Sequence, residues 1–204
     1  MNKNLVEITD KHFIVDLMYA GTEHNMTGSP VYQEIGLGNR AFVHRDLWNC
    51  LQKLIPYLEN TGRFLKIYDA YRPVEAHKKL FEAVPRDGFF IKDAAQSPHC
   101  RGTAVDAALT DKAGKMLLYP TEVDAYTPEY AAEVRQGQLD NFFEYLKKAS
   151  LDYNGILPPK AVQNRDELCA LMKNIGLVPP PRRHEWWHFE LPDGRGGKYP
   201  LITD

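Results

Sequence analysis

SPHCRGTAVDAAL, residues 97–109, is the most informative stretch of this chain. Its second half, TAVDAAL at 103–109, is rich in β-forming and apolar residues and carries one carboxylate, Asp106, at its centre. A carboxylate buried in such a run needs a cation or a hydrogen-bonding partner, because an uncompensated buried charge is costly. The first half ends in Arg101-Gly102, a turn able to fold His99 back beside the strand that bears Asp106. Two further strand signals accompany it. FLKIY at 64–68 sets Phe64, Leu65, Ile67 and Tyr68 around one lysine, and WWHFEL at 186–191 is dominated by aromatic residues.

Helical periodicity is clear elsewhere. NRDELCALMKNI predicts a helix over 164–175, with Asn164 as its cap, Glu167 completing a capping box, a stripe of Leu168, Leu171, Met172 and Ile175, and Gly176 as its stop. A second helix over 138–149 would bury Leu139, Phe142, Phe143 and Leu146. A third starts at Arg45 with Leu47, Leu51, Leu54 and Leu58 in phase, kinked or ended early by Pro56. A fourth starts at Pro73, with Ala76, Leu80 and Phe81 inward. Strands and helices mix without regular β-α alternation, which predicts an α+β fold: one domain over residues 1–204, with a central, mainly antiparallel sheet flanked by helices. No GxGxxG or GxxxxGK[ST] stands in the chain, so a dinucleotide or P-loop enzyme is excluded.

Composition narrows the function classes. The 204 residues are 44% hydrophobic and 25% charged, ordinary for a globular protein, and no apolar run approaches the ~18 residues of a membrane span. A net charge of −2 without a basic stripe argues against nucleic acid as a partner. The start, MNKNLVEITDKHF, lacks the apolar core of a secretory signal, and the three cysteines are odd in number and widely spaced. A cytoplasmic protein without a disulfide framework is expected.

The chemistry concentrates in SPHCRGTAVD at 97–106 and HEWWHFE at 184–190. Imidazole and carboxylate are the ligands a catalytic zinc prefers, three from the protein with one position left for water. His99, Asp106 and His188 would supply three, and Glu185 could serve as general base. Glu185 and His188 are three apart, which puts them on opposite faces of an ideal strand, so a shared site requires a bulge or strand end near Trp186. Each histidine taken alone reads more often as a hydrogen-bonded core residue than as a ligand. His184 is a competing ligand, and Cys100 is either a soft ligand or a small buried thiol. His12, His24, His44 and His77 stand outside any motif. In YDAYRP at 68–73, Arg72 sits at a strand-to-helix corner, where it could steady an oxyanion or simply pair with Asp69.

YDAYRP, SPHCRGTAVD and EWWHFELP, in this order, resemble the VanX-type D-alanyl-D-alanine dipeptidases, zinc D-Ala-D-Ala peptidases related to the hedgehog signalling fold. The family pattern S-x-H-x-x-G-[ST]-A-[IV]-D and the E-W-W-H block are intact, and DLMYAGTEHNMTG at 16–28 is similar to the family's D-x-x-Y…N-x-T-G stretch. The resemblance implies one zinc ion held by His99, Asp106 and His188, Glu185 as the base that activates water, and Arg72 as the oxyanion stabiliser. It implies Ser97 as a substrate contact, Asp124 as the carboxylate that recognises the free amino group of a small dipeptide, and Tyr19 as a pocket wall. The expected reaction is hydrolysis of D-alanyl-D-alanine or a related dipeptide. The alternatives are a D,D-carboxypeptidase or L-Ala-D-Glu peptidase of the same superfamily, or a non-catalytic zinc module closed by a fourth ligand such as His184 or Cys100.

The chain also departs from the family pattern. AVDAAL replaces the commoner A-I-D-L-T-L, Val123 stands where Phe is usual, and no E-R-S-H block is recognisable in AYTPEYAAEVRQ at 125–136. The 73–96 linker is shorter than in the resistance enzymes. These changes leave the catalytic set intact and fall on the recognition side.

Overall fold

A computed structural model describes residues 2–23, 25, 27–83, 91–124, 132–133, 136–181 and 183–203. His24 and most of 125–136 therefore lie outside the described residues. A four-stranded sheet runs in the order β2 (Phe13–Val15), β4 (Leu65–Asp69), β5 (Ala104–Leu109) and β6 (His188–Glu190). The β2–β4 pair is parallel and the other two pairs are antiparallel, so the expected α+β fold with a mainly antiparallel sheet is present. Strands β1 (Leu5–Glu7) and β3 (Phe42–His44) form a separate antiparallel pair.

Every side chain of β5 is buried, the pattern of a strand covered on both faces. Opposite it, β4 alternates buried Leu65, Ile67 and Asp69 with partly exposed Lys66 and Tyr68. The register slips by one residue between Ile67 and Asp69, so a bulge at Tyr68 sets Asp69 against Asp106. The expected strand over 186–191 is shorter than its aromatic content suggested. Trp186 and Trp187 belong to a turn, and pairing begins at His188, opposite Asp106. That strand end is the irregularity that the Glu185–His188 spacing required.

Helices whose bounds lie within the described residues are α1 (Val31–Glu34), α2 (Arg45–Leu51), α3 (Ile55–Thr61), α4 (Val74–Ala83), α5 (Asp140–Ala149) and α6 (Pro159–Asn174). Leu47, Leu51, Leu54 and Leu58 are buried as their phase predicts, and Pro56 opens α3 behind a 3-10 turn, Gln52–Leu54. Helix α4 buries Ala76 and Leu80 and packs Phe81 against the core; Pro73 sits just ahead of it, its carbonyl accepting from His77 N at 2.9 Å.

Two helix readings need correction. Helix α6 starts at Pro159, five residues before the expected cap, because Pro158-Pro159 supplies the pre-set φ of a first turn. Asn164 is buried inside the helix and donates from Nδ2 to Leu118 O at 2.8 Å, while Glu167 accepts from Tyr57 Oη at 2.6 Å and Arg63 Nη1 at 2.9 Å. Those two residues tie α6 to its neighbours and form no capping box. In α5, Phe143 is 57% exposed, contrary to expectation, because adjacent helical residues point about 100° apart. The inward stripe is Phe142, Tyr145, Leu146 and Ala149, the i, i+3, i+4, i+7 set.

Among the described residues no helix is long and apolar enough to cross a membrane. Phe142→Ala should cost about 3–5 kcal/mol of stability. Phe143→Ala should stay within about 1 kcal/mol, as expected of an exposed position. Thermal unfolding of both variants checks this, and the reverse order would refute the register of α5.

Candidate metal centre and active site

The chain segments that build the site are fixed by backbone before any side chain is considered. Strand β4 ends at Asp69, and the next three residues are clamped: Tyr71 N donates to Phe42 O at 2.7 Å and Arg72 N to His99 O at 3.1 Å. The 3-10 turn His99–Arg101 closes on Gly102, whose carbonyl accepts from His44 N at 2.7 Å. Gly102 has φ +66°, and a Cβ there would lie 2.8 Å from Leu5 Cδ2 and 3.0 Å from His44 N. Only glycine fits this corner, which turns the chain from His99 into β5.

His99, Asp106 and His188 are all buried, and each presents one ligand atom to a common point. His99 Nε2 lies 3.2 Å from His188 Nδ1 and 3.4 Å from Asp106 Oδ2, and His188 Nδ1 lies 3.0 Å from Asp106 Oδ1. The opposite ring nitrogens face away. His99 Nδ1 donates to Ala70 O at 2.8 Å, and His188 Nε2 donates to Glu190 Oε2 at 3.0 Å. Two imidazoles held by their outer N–H groups and one carboxylate form the donor set of a metal site with oriented ligands. Burial alone would lower the His188 pKa, but hydrogen bonds with Asp106 and Glu190 outweigh it and push it up to about 10. Burial would likewise raise Asp106, yet the two histidines hold it well below the usual carboxylate range. Asp106 is therefore compensated by hydrogen-bonding partners, one of the two solutions its sequence context left open.

Glu185 joins the cluster from the turn ahead of β6, with Oε2 4.0 Å from His188 Nδ1. Burial favours its neutral form, but the contact with His184 Nε2, 3.3 Å from Oε1, keeps its pKa below the usual value. His184 thus faces Glu185 and is not among the clustered ligand atoms. Cys100 is fully buried, and burial pushes its thiol up to about 11, which leaves it protonated and a poor ligand. Behind the site, Trp186 stacks on Tyr119 at 4.0 Å and meets Trp187 edge-on; both indoles are fully buried.

Arg72 is buried and pairs with Asp69, the structural one of its two expected readings. Its Nε and Nη2 donate to Asp69 Oδ2 at 3.0 and 2.5 Å, and its guanidinium lies 5.2 Å from the centre of the Tyr19 ring. Tyr19 donates to Asp124 Oδ2 at 3.2 Å. Burial, then the nearby charges of Asp106 and Glu185, push the Asp124 carboxyl well above its ordinary value. Asp124 has φ 39°, a left-handed conformation uncommon outside glycine. Ser97 is buried at the end of the 3-10 turn Ala94–Gln96, two residues before His99.

Sequence reading missed two contributors. Asp69 was visible only as a possible partner of Arg72, yet it also accepts from Tyr32 Oη at 2.6 Å and Ala70 N at 2.9 Å, and lies 3.6 Å from His99 Nδ1. Glu190 was passed over, although a carboxylate two residues after His188 on a strand must share its face.

A sequence model of the family described as D-ala-D-ala dipeptidase matches residues 5–141, more than half of the chain. That span includes His99 and Asp106 and stops before Glu185 and His188. The chain is also 33% identical over 190 residues to the D-alanyl-D-alanine dipeptidase of Escherichia coli (strain K12), an alignment that covers 93% of this chain and 83% of that protein.

The Asp69–Arg72 pair gives the site a stability signature. Asp69→Ala removes the carboxylate that holds a buried guanidinium and should cost about 3–5 kcal/mol. Urea unfolding of the variant checks this; a loss below about 1 kcal/mol would show that Arg72 is not held by this pair.

Proposed function

The chain belongs to the D-Ala-D-Ala dipeptidase family of metallopeptidases, and from that premise we propose that it hydrolyses D-alanyl-D-alanine, or a closely related D-containing dipeptide, with zinc as its metal. The observation that carries this reading is the convergence of His99 Nε2, His188 Nδ1 and an Asp106 oxygen, with Glu185 Oε2 4.0 Å from His188 Nδ1. These three residues would hold the ion. When bound there, zinc supplies Lewis acidity, making water more acidic and the peptide carbonyl more electrophilic. Three protein donors, with His184 paired to Glu185 and neither His184 nor Cys100 among the clustered ligand atoms, support a catalytic site over a closed structural one.

The chain's own groups then divide the work. Glu185 is ionised, and Oε2 faces the ligand cluster, so it takes the proton of the attacking water and returns it to the leaving amine. Arg72, kept charged and rigid by Asp69, stabilises the negative charge that develops on the carbonyl oxygen. Asp124 and Tyr19 receive the substrate's ammonium. Burial disfavours the Asp124 charge, and a cation beside it would restore that charge, so an N-acylated substrate forfeits this interaction. Ser97 contacts the dipeptide beside His99. The free thiols Cys50, Cys100 and Cys169 support a reducing compartment, and we place the reaction in the cytoplasm.

The test is D-alanine release from free D-Ala-D-Ala beside its N-acetylated form, with and without a chelator. The native protein should cleave only the free dipeptide, and the chelator should abolish it. Glu185→Gln should keep its zinc and lose about 10²–10⁴-fold in kcat. Asp124→Asn should lose most of its activity on the free dipeptide. Cleavage of the blocked peptide would move the protein to the carboxypeptidase reading, and inactivity on D-containing dipeptides with zinc bound would overturn the proposal.

A further inference from the structure

His188 and His99 turn opposite nitrogens toward the ligand cluster, Nδ1 from the first and Nε2 from the second. The choice for His99 follows from Ala70 O, a backbone acceptor that can only receive the Nδ1 proton. The choice for His188 has a different origin. Its Nε2 faces the carboxylate of Glu190, 4% exposed, at 3.0 Å. A carboxylate there would keep one proton on Nε2 when the Nδ1 proton gives way to a metal, so that Nδ1 is the ring nitrogen offered beside His99 and Asp106.

Glu190 is itself held with unusual completeness. Its backbone pairs with Ala104 on one side, and on the other Glu190 N donates to Val178 O and Val178 N to Glu190 O, both at 2.9 Å. Its carboxylate receives a two-pronged guanidinium, Arg195 Nε on Oε1 at 2.9 Å and Nη2 on Oε2 at 2.8 Å. That fork supplies the charge a buried carboxylate needs and fixes its plane. The loop that delivers Arg195 is fastened to the segment that delivers Asp106: Leu191 N donates to Thr103 O at 2.9 Å, and Thr103 Oγ1 donates to Gly194 O at 2.6 Å. A Cβ on Gly194 would lie 2.8 Å from Leu191 O and 3.0 Å from Thr103 Oγ1, so the loop passes too close for any other residue.

We propose that Glu190, braced by Arg195, is the positioning residue that selects Nδ1 of His188 as its metal-binding nitrogen. This rests on the reading that His99, Asp106 and His188 hold a metal. Neither Glu190 nor Arg195 touches the ligand point; both act through the His188 ring.

Zinc affinity, measured by competition with a chromophoric chelator, tests it in the native protein, Glu190→Ala, Glu190→Gln and Arg195→Gln. Glu190→Ala should bind zinc about 10–100-fold more weakly. Glu190→Gln should fall between it and the native protein, because the amide carbonyl still accepts from Nε2. Imidazole ¹⁵N–¹H spectra of the zinc-loaded proteins supply the second readout: His188 should carry its proton on Nε2 in the native protein and lose that single tautomer in Glu190→Ala. A residue needed only for folding would lower stability and leave the tautomer unchanged. Should Glu190→Ala fail to fold, Arg195→Gln, which keeps the carboxylate, carries the test with a loss of at least about threefold in zinc affinity. Native affinity and an unchanged tautomer in the folded variants would overturn the role of Glu190 alone, whereas a native protein that binds no zinc would overturn the metal reading beneath it.

Discussion

Two carboxylates face each other at the centre of the sheet, and most of the site follows from how each is compensated. The bulge in β4 makes Asp69 the register partner of Asp106, and both are buried. Two anions so placed are tolerable only if each has its own cation. Asp69 takes the guanidinium of Arg72, with Tyr32 and Ala70 N on its other oxygen. Asp106 takes the imidazoles of His99 and His188, the arrangement a divalent cation would occupy in their midst. The pairing thus keeps a fixed positive group near the candidate metal-ligand cluster, the two charges the proposed reaction would use on a developing oxyanion.

The surroundings serve that division. Gly102 and the clamped residues 70–72 set His99 against β5, and the strand end at His188 brings Glu185 to the cluster. The Tyr19–Asp124 hydrogen bond belongs to the proposed recognition side, which would decide the substrates admitted.

Much of this was legible in the chain. An isolated carboxylate in AVDAAL demanded a cation or a hydrogen-bonding partner, the Arg101-Gly102 turn returned His99 to it, and the three-residue spacing of Glu185 and His188 required a bulge or strand end near Trp186. Other features were not readable, for physical reasons. Asn164 and Glu167 mimic a capping box, but the helix had already begun at Pro159, and a local motif cannot reveal that a tertiary partner such as Leu118 O has claimed the side chain. Phe142 and Phe143 are equally hydrophobic, and only the helix phase separates them. The β4 bulge leaves no compositional mark, so the opposition of Asp69 and Asp106 could not be anticipated. Arg195 lies five residues beyond Glu190 in an irregular loop, where no periodicity connects the two.

The central claim, a metal held by three buried side chains with a position left open for chemistry, is tested most directly by anomalous diffraction at the zinc edge from crystals of the zinc-loaded protein. The account predicts one peak per chain, about 2.0–2.2 Å from His99 Nε2, His188 Nδ1 and an Asp106 oxygen, with no fourth protein ligand. A peak elsewhere, or one closed by His184 or Cys100, would contradict it.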